Sequence, residues 1–232
     1  ASVLGRPPVP CRKVRRRDPR ELTTGYRQDA VKSLLSLIAM ASFAFVTSVT
    51  PGPNNLMLLA SGANFGFRRT LPHIVGISLG MALLLTCVLG GLGELFSRYP
   101  LLQLLLRIAG AGYLLWLSWK ILRTPPRSLQ PENANGRPLA WWQAVLFQFV
   151  NPKAWIMAIT AVSSFTLSGE AYWLSGLALV LVFSVVNLPS VTVWAGFGTL
   201  LQQFLSSAAR QIWFNRIMAT LTALTVLMLV QQ

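Results

Sequence analysis

The sequence predicts an all-α integral membrane protein: six transmembrane helices forming two inverted three-helix repeats, with helices 1 and 4 broken. Three observations carry the prediction. Hydrophobic residues fill 53% of 232 positions and charged residues only 11%, where a soluble domain carries about 25% charged residues. The remaining charge is gathered into a few places, leaving uncharged tracts at Ser33–Phe67, Thr70–Gly93, Pro138–Pro152, Ala154–Gly169 and Ala171–Ala209; a bilayer-spanning helix needs about 20 apolar residues. Finally, two apolar spans are interrupted by prolines accompanied by asparagine, at Thr50–Asn55 and at Asn151-Pro152.

Residues 1–32 form a basic amino-terminal arm with nine Lys/Arg, four Pro and little hydrophobicity, a composition that reads as disordered. With Ser33–Val49 behind it, the arm superficially matches a signal peptide, but apolar sequence resumes after Pro53 instead of yielding to a polar domain. The first repeat, 33–122, holds spans at about Leu34–Phe67 (broken at Thr50–Asn55), Leu71–Leu95 and Leu101–Leu122. A polar linker follows at 123–139. The second repeat, 140–232, holds spans at about Trp141–Leu167 (broken at Asn151-Pro152), Tyr172–Leu200 and Ile212–Val230. Gly62/Gly66 and Gly76/Gly80 are GxxxG pairs, and Ala109–Gly112 is a run of small residues; both patterns let helix backbones approach closely in lipid. Trp116, Trp119, Trp141, Trp142 and Trp173 fall near span ends, as interfacial belts do.

Basic residues in the loops set orientation. Arg68, Arg69, Lys120, Arg123, Arg127, Arg137, Arg210 and Arg216 lie on one side, against Arg98 on the other. That places the linker in the cytoplasm and both termini outside, although the basic arm evens the score when it is counted.

Composition also excludes functions. A net charge of +14 would suggest nucleic acid in a soluble chain, but here it belongs to loops, and no nucleic-acid partner is expected. Cys11 and Cys87 form no CxxC or Cys/His cluster, so neither disulfide nor metal is implied. With a single histidine and no Ser/His/Asp, HExxH or paired-carboxylate constellation, no catalytic residue and no cofactor is expected.

The breaks need a purpose. Three spans per half force the halves into opposite orientations, so broken helices that open each half meet near the membrane midplane. A mid-span proline leaves carbonyls unpaired on one side and amides free on the other. Amides around Asn55 to Met57, at the positive end of a half-helix, suit a carboxylate; carbonyls near Thr47 to Thr50 suit an ammonium. A zwitterionic amino acid satisfies both, whereas kinks that merely shape packing are the alternative. Candidate substrate-binding residues are Thr50, Pro51, Gly52, Pro53, Asn54, Asn55, Asn151, Pro152 and Lys153. Lys153 reads either as a counter-charge for a substrate carboxylate or as a lysine reaching toward an interface. His73, near the cytoplasmic start of the second span, reads as a proton carrier or as an interfacial residue without a role. Span interiors contain no Asp or Glu, which favours neutral substrates over lysine or arginine and leaves a proton carrier unassigned.

The pattern T-P-G-P-N-N at Thr50–Asn55, F-x-N-P-K-A-W at Phe149–Trp155 and Asn187-Leu188-Pro189-Ser190 ahead of Trp194 resembles the LysE/RhtB superfamily of amino acid exporters. Gly110–Arg123, GAGYLLWLSWKILR, resembles that family's third helix. The resemblance covers about Leu34–Val230 and is most similar to the cysteine/O-acetylserine exporter branch. It implies a multi-pass exporter of small neutral amino acids or related metabolites in the bacterial inner membrane, coupled to the proton gradient. Its motif positions are the residues above, with Asn187 and Pro189 as a third set and Asn187 a further substrate-binding candidate. Implied partners are an amino acid substrate and the lipid bilayer, with self-association left open. The long basic arm departs from the family's short start. A non-transporting structural or assembly subunit and a passive channel are the competing readings.

Overall fold

The computed structural model describes residues 19–126, 137–205 and 207–230. The arm's residues 1–18 and the linker's 127–136 lie outside the described residues. The chain divides into two units, 1–37 and 38–232. In the first, the described part is the opening of α1 (Pro19–Val49). That helix begins inside the arm expected to be disordered. Proline is well suited to a first helical position, where its missing N–H costs nothing, and Arg20, Glu21 and Leu22 behind it are good helix formers.

The second unit continues α1 and adds α2 (Pro53–Phe65), α3 (Phe67–Cys87), a π-helical turn at Val88–Leu92, α4 (Gly93–Arg98), α5 (Pro100–Leu122), α6 (Trp141–Val150), α7 (Pro152–Phe165), a 3₁₀ turn at Gly169–Ala171, α8 (Tyr172–Phe204) and α9 (Ala208–Val230). No strand occurs among the described residues. Both expected breaks are present: α1 gives way to α2 across Thr50–Gly52 with a 59° bend, and α6 to α7 across Asn151 with a 71° bend. In each case proline occupies the first position of the new helix, which removes a hydrogen bond to the preceding helix while fitting the start of the next.

Phe67–Leu92 and Gly169–Phe204 are long and apolar enough to cross a membrane, and each bent pair passes the same test jointly. The described residues therefore hold two candidate spans, or four if each pair is one span. Among the described residues, α5 contributes the shorter apolar stretch Ile108–Leu122, and α9 carries Arg210 and Arg216 in its first turns.

Small residues set the helix contacts. A Cβ on Gly62 would lie 2.2 Å from the Ala195 carbonyl oxygen, and one on Gly198 would lie 2.1 Å from that of Leu59, so α2 and α8 touch backbone to backbone. Gly76 brings α3 equally close to the Trp141 carbonyl of α6, and Gly110 does the same for α5 at Val150. Without a hydrophobic drive between helices in lipid, such close approach is what holds a bundle together. Gly66 behaves differently from its GxxxG reading. It adopts φ +81° at the corner between α2 and α3, so spacing alone confused a turn with a contact surface. Further helix pairs are α5 with α9 and α3 with α8.

Candidate functional site

At the first break, carbonyls released by the end of α1 collect donors from three other helices. Asn55 Nδ2 of α2 donates to Ser48 O and Thr50 O, both at 2.8 Å. Trp194 Nε1 of α8 donates to Val49 O at 3.1 Å. From α7, Lys153 Nζ donates to Thr50 O at 2.5 Å and Pro51 O at 3.4 Å. The acceptors expected to await a substrate ammonium are thus engaged by the chain's own groups, and the cation among them is Lys153. Its ammonium reaches across to the opposite break, a contact that neither reading of that lysine anticipated.

Gly52 makes this crossing feasible. Its backbone is extended (φ −172°, ψ 177°), a conformation open to any residue, so its lack of a side chain matters for space. A Cβ there would stand 2.8 Å from Lys153 Cδ and 3.2 Å from Nζ.

The amides are also narrower in number than expected. Leu56 N already bonds Gly52 O at 3.0 Å and Pro53 has no N–H, which leaves Asn54 and Asn55 at the first-turn end of α2. At the second break Asn151 caps α7, its Oδ1 accepting from Lys153 N at 3.2 Å. Trp155 N bonds Asn151 O at 3.3 Å, so Ala154 carries the remaining first-turn amide.

Polar side chains tie the breaks together. Asn54 and Gln148 form a reciprocal amide pair, Nδ2 to Oε1 at 2.9 Å and Nε2 to Oδ1 at 3.3 Å. Asn187 Nδ2 donates to Ser48 Oγ at 2.9 Å while its Oδ1 accepts from Ser78 Oγ at 3.2 Å. Asn55, Gln148, Asn151, Asn187 and Ser48 are all buried. Each buried polar group that lost its partner would cost about 1–3 kcal/mol, so this network fixes both break geometries together.

A cavity of about 30 Å³ lies inside the network, lined by Gly52, Asn54 and Asn55 from the first break, Asn151, Lys153 and Ala154 from the second, and Gln148 and Asn187. Beside it is a larger, mostly apolar hollow of about 600 Å³, lined by Thr50, Pro51, Gly52, Pro53, Pro152, Lys153 and, on α9, Leu221, Leu224 and Thr225. Every sequence-predicted site residue borders one hollow or the other, and Gly52 and Lys153 border both. Sequence reasoning missed Ser48, Ser78 and Gln148. Gln148 had a findable signal: an amide deep in an apolar span, one turn before Asn151. Among the described residues no group of three His, Cys, Asp or Glu could hold a metal.

Residues 45–231 match the LysE type translocator family. The chain belongs to that family. It is 33% identical over 187 residues to the cysteine/O-acetylserine efflux protein of Salmonella typhimurium, covering 80% of this chain and 92% of the relative. Against the cysteine/O-acetylserine efflux protein of Escherichia coli K12 it is 31% identical over 178 residues, 76% and 89% of the two chains. No solved structure matches. Members of the family and these efflux proteins are transporters rather than enzymes, and this LysE-family chain is an amino acid exporter built of apolar helices for a membrane.

Proposed function

We propose that the protein exports small neutral amino acids or related metabolites, of the cysteine and O-acetylserine kind, across a bacterial inner membrane by proton-coupled alternating access. The observation that carries this reading is the small polar-lined cavity that both broken helices border. Its lining contains no carboxylate, which leaves nothing to pair a second positive charge on a substrate such as lysine. Two element pairings support an inverted repeat of six spans: α3 rests on α8 and α5 on α9, each the same position in the opposite half. The many exposed apolar side chains, such as Leu181, Val185 and Leu224, suit contact with acyl chains.

In this mechanism one ammonium replaces another. The substrate carboxylate draws Lys153 away from Thr50 O and Pro51 O and also meets the amides at Asn54, Asn55 and Ala154, where the positive ends of two half-helices converge. The substrate ammonium then takes the vacated carbonyls. A cavity of about 30 Å³ matches one water's share of liquid volume, so loading requires Lys153 to move and join the small cavity to the larger hollow beside it. Displacement of the lysine is thereby linked to occupancy.

The test is metabolite profiling of medium from cells over-producing the wild type, Asn55→Ala or Lys153→Ala. The wild type enriches the medium in cysteine or O-acetylserine and both variants do not. Identical excreted pools in all three cultures would sink the assignment.

A further inference from the structure

A further cavity, of about 50 Å³ and separately lined, lies between α2 from Met57 onward, the start of α3, the end of α5 and residues 137–139 ahead of α6. His73, the only histidine in the chain, borders it and is 1% exposed; it is therefore not the interfacial residue its position near a span start suggested. Neither ring nitrogen has a hydrogen-bond partner among the described residues. A buried donor and acceptor both left unmatched are uncommon and call for an occupant.

Neutral groups around the cavity are already engaged. Thr70 Oγ1 donates to Gly66 O at 2.9 Å, so in the Ser61–Thr70 pair Ser61 is the donor. Asn64 Nδ2 donates to Ala60 O and Asn215 Oδ1, its Oδ1 accepts from Gln211, and Thr124 Oγ1 donates to Lys120 O. What remains facing the space is the His73 ring with two cationic side chains, Arg137 and Lys120, the latter with its Nζ also 5.3 Å from the Trp116 ring centroid, and among the described residues no Asp or Glu lines it. A donor-rich, carboxylate-free pocket selects negative charge.

We propose that this cavity is a second binding site, specific for a small monovalent anion such as a carboxylate head or a halide, held by the His73 N–H, Lys120 and Arg137. Its volume equals one to two water-sized groups, at about 30 Å³ each. On α2 its lining runs from Met57 to Phe65, which begins about 3 Å of helix rise beyond Asn55, and it shares no lining residue with the break cavity. The proposal stands independently of the transport reading.

The single histidine makes a direct probe. Full-length chain carrying a histidine-free tag and ¹⁵N-labelled histidine is titrated, in detergent, with sodium acetate and separately with sodium chloride, while the imidazole nitrogen shifts are followed. A saturable shift is expected; acetate alone identifies a carboxylate site, and both salts acting identify a site shared with halides. Lys120→Gln and Arg137→Gln, at partly or fully exposed positions that tolerate the change, each weaken the response about tenfold, the worth of one charge-assisted hydrogen bond. Asn55→Ala, which disables the break site, leaves the titration unchanged. No saturable shift with either salt, an unaltered response in both cation variants, or loss of the response in Asn55→Ala would each overturn the proposal.

Discussion

Gly52→Ala is the sharpest perturbation the site offers. The extended backbone at Gly52 accepts alanine without strain, so the new methyl acts on its neighbour alone. At 2.8 Å from Lys153 Cδ and 3.2 Å from Nζ it lies well inside ordinary van der Waals contact (about 3.5–4.0 Å between carbons). A flexible side chain yields before a backbone does, so Lys153 swings off Thr50 O, where its 2.5 Å hydrogen bond has no slack for the shift. Hydrogen bonds to charged groups are worth about 1.5–3 kcal/mol, and the half-buried lysine belongs at the lower end. Misplacing the ammonium therefore costs about tenfold in transport. Uptake of radiolabelled cysteine or O-acetylserine into inverted vesicles measures this for wild type, Gly52→Ala, Lys153→Met and the double variant. Because the glycine acts through the lysine, the double variant should transport no worse than Lys153→Met alone, the non-additivity expected of residues sharing one contact. Losses that simply add would refute the reasoning, as would full activity in Gly52→Ala.

Asn55→Ala removes two hydrogen bonds and leaves the buried Ser48 carbonyl without its donor; thermal unfolding in detergent should register a loss of about 1–3 kcal/mol together with loss of transport. Trp194→Phe deletes the bond to Val49 O and trims a ring packed on the core; it should cost at least the hydrogen bond's worth, about 0.5–1.5 kcal/mol, in the same assay while transport persists. Gly198→Ala places a methyl 2.1 Å from the Leu59 carbonyl, where backbone rather than a flexible side chain must move, so the variant should fail to accumulate as a monodisperse species in gel filtration.

Both interruptions were legible in the chain because proline announces a broken helix by itself: α2 and α7 begin at Pro53 and Pro152. Buried asparagines beside them were legible for the same reason, since polar groups in apolar spans demand partners. The identity of those partners was not. Asn54 meets Gln148 and Trp194 meets Val49 across 94 and 145 positions, and nothing local in either segment encodes the match. Lys153 shows the limit most clearly. Sequence left it between a carboxylate from outside the protein and an interface, whereas the fold sets it on carbonyls that the other break releases, a contact that exists only once two half-helices face each other. Gly66 and the early start of α1 fail for local reasons: four-residue glycine spacing is blind to a corner, and a basic composition is compatible with a helix once proline starts it.

The central claim is that neither break suffices alone and that the hollow between them holds the zwitterion. Equilibrium binding of radiolabelled O-acetylserine to the purified chain, by scintillation proximity, tests it with one variant per break, Asn55→Ala and Asn151→Ala. Loss of binding in both variants is the predicted result; binding at wild-type strength in either one would contradict the account.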